Sequence, residues 1–272
     1  MAEIAVRADG VTLAGDDVGE GTPVVLLHGL TATRRYVVMG SRALERGGHR
    51  VIAYDARGHG RSSPAPDADA YAYDCLATDL GAVLDDRGLD RAVLAGASMG
   101  AHTLLAYALA HPQRVAGLVV LTPAFDPDDD DAARLERWDA LAQGLRDGGV
   151  DGFLEAYGEP AVPQQWRETV LTVVRQRLSA HEHPDAVADA LRAVPRSRPF
   201  EAWDDLRRLD APAVVVATRD DADPEHPYAI AEFYADLLPR ARLVSEEPGE
   251  SPLAWQGAKL SQVIAELAAD AP

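Results

Sequence analysis

The chain has 272 residues, 47% hydrophobic and 26% charged; this suits one large domain, or a domain with an insertion, and excludes a solenoid, a multidomain scaffold or wholesale disorder. Lys and Arg number 26 against 44 Asp and Glu, a net charge of −18, so phosphate backbones and anionic lipid surfaces are repelled, and neither nucleic acid nor membrane is an expected partner. The lone cysteine, Cys75, has no intramolecular disulfide partner; with no basic stretch and apolar run at Met1–Arg7, the reading is a cytoplasmic protein.

Along the chain, Ile4–Arg7 and Val11–Ala14 alternate on either side of Asp9-Gly10, which predicts a hairpin at an antiparallel edge. Short apolar runs follow at Val24–Leu27, Val51–Tyr54, Ala92–Ala95, Leu118–Leu121, Ala213–Ala217 and Arg242–Val244. Runs of this length without alternation suit strands covered on both faces, so the expected class is α/β with a mostly parallel, doubly wound sheet. Ser98–Ala110 is apolar nearly all round and stops at His111-Pro112, which predicts a helix buried against the sheet. Further helices are expected at Ala229–Leu238, before Pro239, and at Gly257–Ala269.

Between Phe125 and Phe200 the strand signal disappears. The segment opens with the acidic run Asp126–Asp131 and continues with helical patterns at Arg134–Leu145, Gln164–Leu178 and Asp185–Ala193. This predicts a helical cap, residues 125–200, inserted into a core made of residues 1–124 and 201–272. Within it, His181-Glu-His183 reads as a solvated helix end, since no further ligands converge to make a metal site.

The richest stretch is Ala92-Val-Leu-Ala-Gly96-Ala-Ser98-Met-Gly100, a strand that enters a helix through G-x-S-x-G. Such a turn strains the serine and presents its hydroxyl at the carboxyl edge of the sheet, while the following N–H starts the helix and points at a developing oxyanion. Upstream, Val24-Val-Leu-Leu-His28-Gly29-Leu30 is a second strand that ends in His-Gly, and Asp55-Ala-Arg-Gly58-His-Gly60-Arg-Ser62 follows a third.

With these motifs in this order, the chain resembles the α/β-hydrolase superfamily, in the branch of small cap-bearing esterases and C–C hydrolases. The resemblance implies Ser98 as nucleophile, with the backbone N–H groups of Leu30 and Met99 as the oxyanion hole. It also places the acid after the strand Ala213–Ala217, where Asp220, Asp221 and Asp223 compete: Asp220 is nearest the strand end, while Asp223-Pro224 matches the Asp-Pro often found at this position. His28, Gly29, His102, Trp138 and Trp166 are the candidate lining of the substrate cleft.

The base departs from the family pattern. The loop after the last strand, Val244-Ser-Glu-Glu-Pro-Gly249-Glu250-Ser251, carries Glu250 where the family places its histidine, and no histidine follows His226. Three readings stand side by side. His226, in the acid loop, or His102, four residues after Ser98 on the same helix, takes over as base; Glu250 serves as a carboxylate base for a lyase or cyclase reaction; or the pocket binds a ligand without turning it over. The preferred expectation is hydrolysis of a small apolar ester, thioester or related carbonyl compound. No cofactor and no metal are implied, and the expected partners are a small-molecule substrate and at most a second copy of the chain.

Overall fold

The computed structural model describes residues 2–129, 131–219, 223, 225–247 and 249–270. Eight strands form one sheet: β1 Ala2–Ala8, β2 Val11–Val18, β3 Thr22–Leu27, β4 His49–Tyr54, β5 Ala92–Ala97, β6 Val115–Leu121, β7 Ala213–Val216 and β8 Ala241–Val244. Their spatial order is β1-β2-β4-β3-β5-β6-β7-β8. β1 and β2 pair antiparallel, as the Asp9-Gly10 turn predicts, and β2 joins β4 antiparallel; from β4 to β8 every pairing is parallel.

The strands are continuously apolar because the pleat sends alternate residues to two separate cores. Val25, Leu27, Leu94, Leu118, Val120 and Val215 enter one core. Its helical side comes from α2 (Tyr73–Asp86), α3 (Met99–Ala110) and α7 (Tyr228–Leu237). Val24, Leu26, Val93, Val119, Val214 and Val216 enter the other, against the single-turn α1 (Ala43–Arg46) and α8 (Gly257–Asp270). Each such aliphatic side chain contributes roughly 1.5–3 kcal/mol through burial. α3 is buried on nearly every side, Met99 through Leu105 without a gap, which is why its sequence lacks a polar stripe.

Between β6 and β7 run α4 (Ala132–Tyr157), α5 (Gln164–Leu178) and α6 (Pro184–Ala193). The sequence pattern ends the first of these at Leu145, but it continues to Tyr157 through a break at Gly149, where φ is 61°. The two halves fold back closely enough that a Cβ on Gly144 would lie 2.5 Å from the Gly152 oxygen. A third apolar cluster joins this segment to the sheet edge, with Leu141, Leu145, Phe153 and Leu191 packed with Leu30, Tyr73, Leu76 and Met99. Among the described residues, no helix is long and apolar enough to cross a membrane.

Candidate active site

Ser98 stands between β5 and α3 with φ 51° and ψ −113°, a conformation that L-residues rarely adopt. Its N–H donates to the Leu121 oxygen at 3.0 Å. The flanking glycines are sterically required, since a Cβ on Gly96 would lie 2.4 Å from the Gly100 carbonyl carbon and one on Gly100 would lie 2.3 Å from the Leu27 oxygen. Met99 occupies the first helical position, where an N–H has no partner within the helix. Among the described residues, the Leu30 N–H also has no acceptor.

Ser98, Leu30 and Met99 line one cavity of about 690 Å³ between the sheet edge and α4–α5. Three non-glycine residues of the described chain have positive φ, namely Met39, Ser98 and Thr122, and all three line this same cavity. Each costs on the order of 1–3 kcal/mol, and strain of that kind is retained where the surroundings enforce it, which makes this cavity the candidate site.

Asp223 and His226 face the cavity from the loop after β7. Asp223 Oδ1 lies 2.8 Å from His226 Nδ1. The buried Nδ1 makes no hydrogen bond of good geometry among the described residues, so the carboxylate acts on the ring chiefly through its charge. Burial works against the imidazolium, but the Asp223 carboxylate outweighs it and raises His226 above its ordinary value. In return, His226 outweighs the effect of burial on Asp223 and holds it below the usual carboxylate range. Glu225, between them, pairs with Arg137 of α4 and ties the loop to the helical segment.

Four other histidines, His28, His59, His102 and His181, are committed elsewhere. His102 lines the cavity, but its Nε2 accepts from the Ala124 and Phe125 N–H groups at 3.1 and 3.2 Å, and its Nδ1 lies 2.9 Å from the Tyr73 hydroxyl. Burial drives it down to about 3, so it is a neutral tie between α3, α2 and the chain after β6. His28 is corrected from a cleft residue to a buried one: Nδ1 donates to the Gly29 oxygen at 2.8 Å and Nε2 accepts from Ala56 N–H at 2.8 Å. The first of these bonds orients the peptide whose N–H belongs to Leu30. His59 lies 2.7 Å from the Leu30 oxygen through Nε2 and steadies the same turn. His181 is not a solvated helix end. Its Nδ1 accepts from Gly60 N–H at 2.8 Å, its Nε2 lies 3.2 Å from the Thr31 oxygen, and its ring meets His59 edge-on, so the helical segment docks on the turn after β3.

The carboxylate expected at the histidine's place also needs correction. Glu250 is half exposed, 3.8 Å from Lys259, and is not part of the cavity wall, whereas its neighbours Ser251 and Trp255 are. Glu246 is buried, and its carboxylate accepts from the N–H groups of Arg219 and Leu253, closing the ends of β7 and β8 onto each other. Asp220 and Asp221 lie outside the described residues. Gly29, Trp138 and Trp166 line the cavity, and Trp166 meets Trp255 edge-on at 5.7 Å; Trp203 packs instead on Phe200, Phe233 and Tyr234. Arg57 is locked by two 2.7 Å bonds to buried Asp79, and Arg61 pairs with exposed Glu3.

Sequence reasoning passed over the cationic part of the wall, Arg134, Arg137 and Arg177. A signal exists in the pattern: Val170, Val173, Val174 and Arg177 follow i, i+3, i+4, i+7 spacing, as do Arg134, Arg137, Trp138 and Leu141, so each arginine sits on a stripe that otherwise faces the interior.

A family model described as alpha/beta hydrolase fold matches residues 22–258. Over 222 residues, 76% of this chain and 74% of the other, the sequence is 32% identical to a 2-hydroxy-6-oxononadienedioate/2-hydroxy-6-oxononatrienedioate hydrolase of Pseudomonas putida. A Mycobacterium phage D29 protein named as a non-heme haloperoxidase is 36% identical over 141 residues, 52% of this chain but only half of that protein. Among solved structures, a thermophilic esterase from Thermogutta terrifontis superposes with a TM-score of 0.81 at 25% identity, covering 99% of both chains.

Proposed function

Because the chain belongs to the alpha/beta-hydrolase-fold family, we propose that it is a serine hydrolase of small carbonyl substrates, with Ser98 as nucleophile, His226 as base and Asp223 as the acid that holds the base. The observation that carries this reading is the Asp223–His226 contact at 2.8 Å on the wall of the cavity that also contains Ser98. A histidine moved from the loop after β8 to the loop after β7 keeps the chemistry intact, since both loops follow parallel neighbouring strands and open at the same sheet edge.

In this mechanism His226, neutral, takes the proton from Ser98 Oγ as the oxygen attacks the substrate carbonyl. The tetrahedral oxyanion is held by the N–H groups of Leu30 and Met99. His226 then gives the proton to the departing alcohol or thiol, leaving an acyl group on Ser98. A water molecule gives a proton to the same histidine as it attacks this acyl-enzyme, and the imidazolium returns that proton to Ser98 Oγ as the acid departs. Asp223 stabilises the imidazolium in both halves. The segment 125–200 acts as the cap: α4 and α5 roof the cavity, and their Trp138, Trp166 and valine side chains suit an apolar portion of a small molecule better than a protein substrate. The carboxylate-base reading draws no support from the position of Glu250 on the surface.

The test is active-site labelling. A fluorophosphonate should modify Ser98, and short p-nitrophenyl esters should be hydrolysed by the protein but not by Ser98→Ala. Well-folded protein that shows neither labelling nor turnover removes this reading.

A further inference from the structure

The chain as a whole is acidic, with a net charge of −18. The cavity wall has the opposite bias: among the described residues it includes Arg35, Arg134, Arg137 and Arg177 against Asp223 and Glu225. These arginines are not equivalent. Arg35 is exposed, and Arg137 is already paired with Glu225. Arg134 has Asp129 at 3.3 Å, yet its buried Nε has no hydrogen-bond partner. Arg177 has no carboxylate within 4 Å among the described residues, and its buried Nε is likewise unpartnered.

Arg177 is fixed in place. Its guanidinium lies 5.3 Å from the centre of the Tyr36 ring, and it closes the stripe of Val170, Val173 and Val174 that walls the cavity. Burial weakens the guanidinium's hold on its proton, opposed by the charge of Asp223, but Asp223 is engaged by His226. A partly buried cation that no carboxylate or hydrogen bond answers is costly, and one that lines a cavity is available to an anion that enters it. The guanidinium's planar fork matches a carboxylate in two parallel hydrogen bonds, with specificity that a lysine would lack.

We propose that Arg177, assisted by Arg134, is a specificity residue that binds a carboxylate carried by the substrate in addition to the carbonyl that Ser98 attacks. The substrate class is then an ester or thioester with a free acid on its acyl portion, its intervening carbons against the valines and tryptophans. This rests on the reading of the cavity as a hydrolase site, and the experiment separates the two.

Two esters of nearly equal size, mono-(4-nitrophenyl) glutarate and 4-nitrophenyl pentanoate, differ mainly in the terminal carboxylate. The protein should favour the acid-bearing ester by at least thirty-fold in kcat/KM, and Arg177→Gln should lower that ratio at least ten-fold, chiefly through KM for the acid. Arg177→Lys should recover only part of the preference, because the ammonium lacks the fork. Independently of turnover, calorimetry should show glutarate bound by Ser98→Ala and bound at least ten-fold more weakly by Ser98→Ala/Arg177→Gln. Hydrolysis of both esters at a ratio near one by the unaltered protein, or equal glutarate binding with and without Arg177, overturns the carboxylate site and leaves the hydrolase reading standing. Arg177-dependent glutarate binding without hydrolysis of either ester does the reverse.

Discussion

Asp223 and His226, three residues apart on the loop after β7, meet at 2.8 Å between Oδ1 and Nδ1. On the proposed reading, the acid and the base are both delivered by this one loop. The pair is also braced from outside the loop, since Arg137 of the helical segment holds the intervening Glu225.

If His226 is the base, replacing it should cost what general-base catalysis supplies. His226→Asn should lower kcat/KM for a p-nitrophenyl ester by about 10²–10⁴-fold, with the far-ultraviolet circular dichroism unchanged. His102→Asn tests the alternative imidazole and should act on stability, because both ring nitrogens of His102 are tied to Tyr73 and to the Ala124 and Phe125 N–H groups. A His226 variant as fast as the parent sinks the assignment.

The rate should depend on pH in a direction set by the same pair. His226 accepts a proton only when neutral, and Asp223 raises its value above the ordinary one against the opposing effect of burial. Activity is therefore lost as pH falls, and the midpoint of the rising limb should lie above about 6.5. Removing the carboxylate with Asp223→Asn should move that midpoint downward while lowering the maximal rate. An unmoved midpoint in Asp223→Asn would show that the titrating group is not His226.

Glu250 offers the contrasting case. It is half exposed and sits 3.8 Å from Lys259, outside the cavity wall, in a setting where ion pairs are worth little. Glu250→Gln should leave kcat/KM within about two-fold and stability within about 0.5 kcal/mol. A loss of activity on the scale of His226→Asn would return the carboxylate-base chemistry to contention.

Acid should unfold the protein through histidines that the fold keeps neutral. Burial lowers His28, His102 and His181 to about 3, so between about 6.5 and 3 the unfolded chain binds protons that the folded one refuses. The stability from these three is complete above the unfolded value and is lost as pH falls through this window. Three protons give a slope approaching about 4 kcal/mol per pH unit. His226 acts in the opposite sense: its raised value contributes stability below about 6.5 that is lost as pH rises through the folded value. Urea unfolding at pH 7, 6 and 5 measures the net slope, which His181→Gln should reduce by up to one proton's worth, about 1.4 kcal/mol per pH unit. A flat profile would mean that these rings are charged in the folded state.

The parts of this molecule legible in its sequence are those governed by local geometry. A continuous apolar run such as Val93–Ala95 has no polar face to leave in water, and a serine between Gly96 and Gly100 fits a turn where any Cβ at either glycine strikes backbone. The long helix was underread at Leu145 because the fold-back at Gly149 depends on Gly144 meeting Gly152, a contact across the turn that periodicity does not register. His181 does not end a solvated helix for a related reason: its partners, Gly60 and Thr31, lie more than a hundred residues away.

The sequence by itself determined the α/β architecture, the serine turn and the fact that no histidine follows His226, because each depends on residue type and spacing along a short stretch. Which residue stands near Ser98 was decided only by tertiary structure. Parallel strands β5, β6 and β7 lie side by side and open at one edge, so the loop bearing Asp223 and His226 comes to the same cavity as Ser98, while Glu250 turns outward to Lys259. The same packing makes Arg177 part of the cavity wall, because the direction in which a helix stripe faces is set by what it packs against.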